Sequence, residues 1–215
     1  VGPTAENTLT APAGRLYSFV TSLILSLAMA FLQPKPYVSA WIGANVLMWV
    51  AFFLLLRIWR AFNGGKVLAA LMLVTFFSRM LLGLFLYIAL PSIGYDNPAE
   101  HAGYVYSDAY NRDTQAFALA RSDTPLTSIF STRQSGDQYG GLMFLTATIY
   151  RLFNVAEPRP MLITLLAAFT MAAGLAFLYD AARRRWGGKI ALVAAWFYAL
   201  YPEGLLLGSS QMREP

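Results

Sequence analysis

Long apolar runs are the feature that most limits how this chain can fold. Five of them are Leu16 to Leu32, Val38 to Leu56, Val67 to Leu90, Met161 to Tyr179 and Ile190 to Leu207. Each approaches the roughly 20 residues that a helix needs to cross the hydrocarbon core of a bilayer. The sequence therefore predicts an all-α membrane protein with about five transmembrane helices.

The composition supports the same class. Hydrophobic residues make up 57% of the chain and charged residues only 13%, whereas soluble domains carry roughly 25% charged residues. A net charge of +5 also occurs in nucleic-acid-binding proteins, but here the bases cluster beside apolar runs and not along a polar face with interleaved aromatics. We therefore expect the lipid bilayer as a partner and no nucleic acid.

Basic loops predict the orientation of the chain. The loops Arg57 to Lys66 and Arg183 to Lys189 are rich in Lys and Arg and contain no acid, which is typical of cytoplasmic loops. Two cytoplasmic loops are separated by an even number of crossings, and Val67 to Leu90 and Met161 to Tyr179 already supply two. The short apolar run Gly140 to Val155 is therefore expected to lie in the interface as an amphipathic helix.

We thus expect a multi-pass protein of the cell (plasma) membrane with a cytoplasmic N-terminus. One large external loop, residues 91–159, would carry amphipathic juxtamembrane helices. Its polar part, Gly94 to Gln138, holds six of the eleven carboxylates of the chain but only three arginines. Because binding and catalytic residues concentrate on loops held by a rigid scaffold, we expect an aqueous site there.

A helix over residues 104–121 would place Asp108, Arg112 and Gln115 on one face and Asp113 on the opposite, aromatic face. A carboxylate at a membrane surface is suited to act as general base toward a hydroxyl. The alternative for Asp108 and Arg112 is a solvated ion pair of little energetic weight. For Asp113, two roles remain open: it is either a second acid or a structural cap.

Several stretches resemble the GT-C superfamily of membrane glycosyltransferases, and within it family 39, the protein O-mannosyltransferase and lipid A aminoarabinose transferase type. The stretch around Asp108, Tyr106-Ser107-Asp108-Ala109-Tyr110, is similar to the first external loop of that family. Further similar stretches follow in the same order: Gln138-Tyr139-Gly140-Gly141-Leu142 at the juxtamembrane helix, Arg159 ahead of the next membrane helix, and Leu200 to Glu203 with Ser209 to Pro215 at a proline-containing helix and its external turn.

The resemblance implies a hexosyltransferase of the cell envelope that moves a sugar from a polyprenyl-phosphate donor to an acceptor at the external face, with inversion. It implies Asp108 as catalytic base and Glu214 as a second acid. The residues expected to contact substrate are Arg112, Asp113, Gln138, Tyr139, Arg159 and Arg213. The Pro-Pro pair usual in the family is Gly140-Gly141 here, which predicts a flexible turn in place of a rigid one.

The resemblance covers Val67 to Pro215 and divides the chain in two. Residues 1–66 would form two additional transmembrane helices, and residues 67–215 a GT-C-like module of one transmembrane helix, the external loop and two further transmembrane helices. The chain begins at Val1 and lacks the C-terminal half that completes the family's donor pocket. We therefore expect it to be a piece of a longer protein.

The cofactor requirement stays open at this level. Asp108 and Glu214 would either bracket an acceptor hydroxyl or share a divalent cation, Mg or Mn, through oxygen ligands. The chain has no cysteine and a single histidine, His101, so a thiolate site and a histidine cluster are excluded.

Two further function classes remain as alternatives. A non-catalytic accessory subunit, packed against other membrane subunits of a larger complex, would also lack the C-terminal half. A transporter is the weaker alternative, because it would be expected to have broken helices in two corresponding halves of the chain.

Two charges lie inside predicted spans. Arg79 falls near the middle of Val67 to Leu90, where an unpaired charge costs at least about 2.5 to 3.5 kcal/mol. Counted from the cytoplasmic ends, Arg79 and Glu203 lie at similar depths, roughly 18 and 21 Å. Glu203 also follows Pro202, which breaks the local helix. We therefore predict that Arg79 and Glu203 pair or share a water-filled cavity; the alternative is that Arg79 binds backbone carbonyls.

Overall fold

A computed structural model describes residues 38–63, 65–130 and 140–212. Within these ranges every regular element is a helix, which confirms the all-α class. In chain order the elements are α1 (Val38–Ala61), α2 (Gly65–Ile93), α3 (Pro98–His101), α4 (Ser107–Arg121), a 3-10 helix (Leu126–Phe130), α5 (Gly141–Leu152), α6 (Pro160–Trp186), α7 (Gly188–Leu200) and α8 (Pro202–Ser209).

Three helices of the described chain, α1, α2 and α6, are long and apolar enough to cross a membrane. A fourth crossing is formed if α7 and α8, which meet at an angle of 51°, make up one span. The predicted span Leu16 to Leu32 lies outside the described residues, so the count of five stays a prediction, as does the division at residue 66.

Helix α5 has 12 residues and is therefore about 18 Å long. The hydrocarbon core is roughly 30 Å thick. The length of α5 thus agrees with the prediction that this apolar run does not cross.

Helix α6 is the centre of the bundle and packs against α1, α2 and α7. Small residues allow the close approach: Ala191, Ala195 and Ala199 recur at every fourth position of α7 and are fully buried. In lipid, where apolar side chains gain little from leaving the solvent, such close contact is a main source of helix association.

The bundle has two distinct ends. At the basic end, the indole Nε1 of Trp59 donates to the carbonyl of Gly65 at 2.8 Å, and Phe62 meets Phe177 edge-on with ring centroids 4.9 Å apart. The exposed bases of both predicted cytoplasmic loops lie near this end. At the loop end, the described residues between α2 and α6 pack over the bundle.

The span predicted over Ile190 to Leu207 is not one straight helix. Pro202 has no N–H to donate to the carbonyl of Tyr198, so the helix ends at Leu200 and resumes as α8. The bend directs Ser209 toward α2, where its carbonyl lies 2.8 Å from the position that a Cβ on Gly83 would occupy. Only a residue without a side chain fits at position 83 without displacing that carbonyl.

Candidate functional site

A buried carboxylate fixes the loop helix α4 to the bundle. Asp113 is 2% exposed. Its Oδ2 accepts a short hydrogen bond from the hydroxyl of Tyr104, and its Oδ1 accepts one from the hydroxyl of Tyr150 at 2.7 Å. The Tyr150 oxygen in turn accepts from the backbone N–H of Arg159 at 2.8 Å. One chain of hydrogen bonds therefore joins the loop, α4, α5 and the start of α6.

The pKa values in this network follow from burial. Loss of water raises the pKa of Asp113 to about 6, and this effect outweighs the opposite contributions of the two tyrosine hydroxyls and of nearby Arg112. Burial, followed by the neighbouring carboxylate, raises the pKa of both Tyr104 and Tyr150. Both phenols therefore remain protonated donors across the physiological range.

Asp108 has the opposite surroundings. It is exposed in the first turn of α4, and Gln115 two turns later is exposed as well. Arg112 is half-buried. No hydrogen bond or ion pair joins Asp108 to Arg112 or to any other residue in the described ranges. Asp108 and Gln115 thus lie on an exposed face of α4, and Asp108 has no hydrogen-bond or ion-pair partner among the described residues.

Of the remaining predicted site residues, one lies within the described residues and four do not. Arg159 is buried immediately before α6. Four others, Gln138, Tyr139, Arg213 and Glu214, lie outside the described residues, so their proximity to Asp108 stays a prediction.

The predicted flexible turn at Gly140-Gly141 is corrected in part. Gly140 adopts a left-handed conformation with φ of 60°. A Cβ at this position would lie 2.6 Å from Cγ2 of Ile129. Glycine is therefore favoured here by conformation and by space, and position 140 packs against the 3-10 helix at the start of α5.

The predicted direct pair between Arg79 and Glu203 is wrong. Arg79 is fully buried and donates from Nη1 to the carbonyls of Thr75 and Ala199, at 3.1 and 3.0 Å, and from Nη2 to that of Tyr198 at 3.3 Å. Glu203 is exposed, and its Oε2 accepts from the hydroxyl of Tyr201 at 3.2 Å. The backbone-carbonyl alternative is the one that the structure bears out.

A small cavity with a mixed polar and apolar lining lies at the loop end. It is formed by Tyr87 of α2, by Gly103 and Tyr104 of the loop, by Thr164 of α6 and by Ser209 to Gln211 after the bend. Its volume of about 10 Å³ is close to what one water molecule needs. It adjoins the Asp113 network through Tyr104, but in this form it has no room for a sugar.

Sequence reasoning missed three residues of this region: Tyr104, Tyr150 and Arg151. The tyrosines meet Asp113 across separations of 9 and 37 residues, which no local pattern reveals. The sequence did contain an indication for Arg151, because a charged residue in an otherwise apolar helix needs polar partners. Its guanidinium binds four carbonyls at and beyond the end of α4, those of Leu119, Ala120, Ser122 and Thr124.

The described residues contain no group of three or more His, Cys, Asp or Glu side chains placed to hold a metal ion. A cation site that includes Glu214 would involve a residue beyond those described. Comparison with known proteins found no matching family model, no similar curated protein and no similar solved structure. The likeness to GT-C glycosyltransferases therefore rests on the motifs in the sequence.

Proposed function

We propose that this protein is a GT-C-type glycosyltransferase that moves a sugar from a polyprenyl-phosphate donor to an acceptor hydroxyl at the external membrane face. The observation that carries the proposal is the arrangement of α4. This helix lies at the loop end of a bundle with membrane-spanning helices, is fixed there through buried Asp113, and presents the exposed carboxylate of Asp108 in its first turn. A donor anchored in lipid would reach such a surface without leaving the bilayer.

In the proposed reaction, the acceptor oxygen attacks the anomeric carbon of the sugar as the bond to the polyprenyl phosphate breaks. The acceptor proton passes to the carboxylate of Asp108. The leaving phosphate takes the bonding electron pair, and the charge that develops on it needs nearby cations. In this proposal Arg112, one helical turn after Asp108, supplies this contact, and Arg213 is a further candidate from the resemblance. Attack from the face opposite the leaving group inverts the configuration.

Asp113 has a supporting role in this proposal. Both of its oxygens accept hydrogen bonds from tyrosines, and it is shut off from solvent. It therefore holds α4 in place, whereas Asp108 is available for proton transfer. Arg159 contributes its backbone N–H to the same support.

The test is sugar transfer by membranes that contain the intact protein, supplied with a panel of polyprenyl-phosphate hexoses. Asp108→Asn keeps the shape of the side chain and removes the base, so we expect turnover to fall roughly 10²- to 10⁴-fold, the usual weight of general base catalysis. The melting temperature should stay near that of the wild type, because Asp108 has no partner among the described residues.

Asp123→Asn is the matched control, since Asp123 is an exposed carboxylate in the same loop but lies past the end of α4. It should retain full activity. Wild-type turnover in Asp108→Asn would remove Asp108 as the base. Loss of activity in Asp113→Asn at unchanged stability would then assign that role to Asp113.

A second candidate function is a non-catalytic subunit of a larger membrane complex. The small size of the cavity at the loop end favours it, because that cavity has space for about one water molecule and none for a sugar. A chain that transfers no sugar from any donor in the panel, and that purifies with other membrane subunits, would support this alternative.

A further inference from the structure

The bend between α7 and α8 leaves two backbone carbonyls without helical donors. In a continuous helix, the carbonyls of Tyr198 and Ala199 would accept from residues 202 and 203. Pro202 has no N–H, and the hydrogen bonds around the bend run instead from Tyr201 N–H to Phe197 and from Leu205 N–H to Tyr201. Inside a bilayer no water replaces the missing donors, so such carbonyls are costly unless the protein itself satisfies them.

Arg79 supplies the missing donors from another helix. Its guanidinium lies 3.0 Å from the carbonyl of Ala199 and 3.3 Å from that of Tyr198. It also carries a positive charge to the C-terminal end of α7, where the helix dipole is negative. The arginine and the bend therefore compensate each other: the buried charge finds acceptors, and the carbonyls that lack a helical donor find one in the guanidinium.

The bend has a consequence at the loop end. It turns α8 so that Gly208 fits against Arg79, where an added Cβ would lie 2.9 Å from Nε. Four residues after Gly208, Met212 packs on the cluster of Ala99, Tyr104 and Ala109. The segment Ser209 to Gln211 thus forms one wall of the cavity beside the Asp113 network, and Met212 attaches this segment to the loop.

We infer that Arg79 is a positioning residue that holds α7 and α8 in their bent arrangement and thereby keeps Ser209 to Met212 against the external loop. The inference concerns the shape of this wall and is independent of the reaction proposed above. Without the guanidinium, the two carbonyls can be satisfied only if the helix straightens and position 202 provides an N–H. Straightening the eight residues of α8 through 51° moves their far end by about 10 Å.

The experiment is a double-mutant cycle with Arg79→Met and Pro202→Ala. Each variant carries cysteines at Ala102 and Met212, which both contact the Tyr104 cluster, and the chain has no other cysteine. Thermal unfolding in nanodiscs measures stability. Cross-linking of the two thiols by a short bismaleimide measures whether the wall is closed.

We expect Arg79→Met to lower the melting temperature by roughly 5 to 10 °C, because it leaves buried carbonyls unsatisfied. Adding Pro202→Ala should restore most of this loss, since the new N–H at position 202 reaches the Tyr198 carbonyl. The cross-link, however, should be lost in the double variant, because the straightened helix carries Met212 away from the loop. Pro202→Ala alone should keep the cross-link, as Arg79 still holds the bend.

Arg151→Met is the matched control. It also removes an arginine from the carbonyls at a helix end, but at α4, so Pro202→Ala should not rescue it. The inference is overturned if the double variant is no more stable than Arg79→Met, or if it cross-links as well as the wild type. Should Arg79→Met fail to fold at all, recovery of a folded protein on adding Pro202→Ala is the expected result, and its absence decides against the inference.

Discussion

Asp108 and Asp113 lie five positions apart on α4 and have opposite surroundings. Asp113 shares its face with Ala109 and Ala116, which are buried and small enough to let the helix approach the bundle. Asp108 lies on the face turned away from that contact. At the level of single residues, the chain thus uses one carboxylate for attachment and leaves another exposed, and helical position alone decides which is which.

The raised pKa of Asp113 makes stability depend on pH. Its value of about 6 in the folded protein lies above the ordinary value of 3.8, so folding favours the protonated form. The stabilisation that Asp113 contributes to folding is therefore fully present below pH 4. It is lost as pH rises through about 6, and the free energy of unfolding falls by roughly 3 kcal/mol in all. We expect the wild type to lose stability relative to Asp113→Asn between pH 4 and 7, measured as the difference between their melting temperatures.

The comparison with Asp113→Asn removes the effects of other carboxylates, which both proteins share. Tyr150→Phe removes one of the hydrogen bonds that favour the charged form, so the pH of the transition should move upward in that variant. A difference in melting temperature that is constant from pH 4 to 7 would contradict the buried, proton-binding state of Asp113.

At the level of helices, the buried Arg79 and the half-buried Arg151 have the same task. Arg79 binds the carbonyls at the end of α7, and Arg151 binds those at the end of α4. A guanidinium suits this position because it has five donors in a planar arrangement and cannot be deprotonated. It serves several carbonyls at once, where a lysine would serve fewer.

Arg151→Met should therefore loosen α4 without unfolding the bundle. The side chain donates to four carbonyls, with nitrogen to oxygen distances from 2.8 to 3.2 Å, and loss of such charge-assisted bonds at a half-buried site is worth about 2 to 3 kcal/mol. Hydrogen exchange should rise in residues 119–124 and stay unchanged in α6. Arg151→Lys is the conservative control and should retain part of the protection; uniform exchange changes across all helices would argue against a local cap.

For the whole molecule, the sequence predicts what depends on length and hydropathy. The apolar runs Val67 to Leu90 and Met161 to Tyr179 correspond to α2 and α6, although α6 continues to Trp186 because nothing in Arg183 to Arg185 stops a helix. The sequence alone does not predict contacts between residues that are far apart in the chain. The carbonyl partners of Arg79 are 119 and 120 residues away, and matching depths suggested the exposed Glu203 in their place.

The sides of the membrane on which the two ends lie can be tested with single cysteines, because the chain has none of its own. Asp123 precedes α5 in the chain and Asn154 follows it, and both are exposed near the loop end; Lys66 and Lys189 are exposed at the basic end.

If α5 does not cross, cysteines at Asp123 and Asn154 react with an impermeant maleimide in intact cells. Cysteines at Lys66 and Lys189 react only after permeabilisation, since basic loops stay in the cytoplasm. Labelling of Asn154 only after permeabilisation would mean that α5 spans the membrane. Asp108 and the end of α8 would then lie on opposite sides, which conflicts with the packed cluster that Met212 and Tyr104 share.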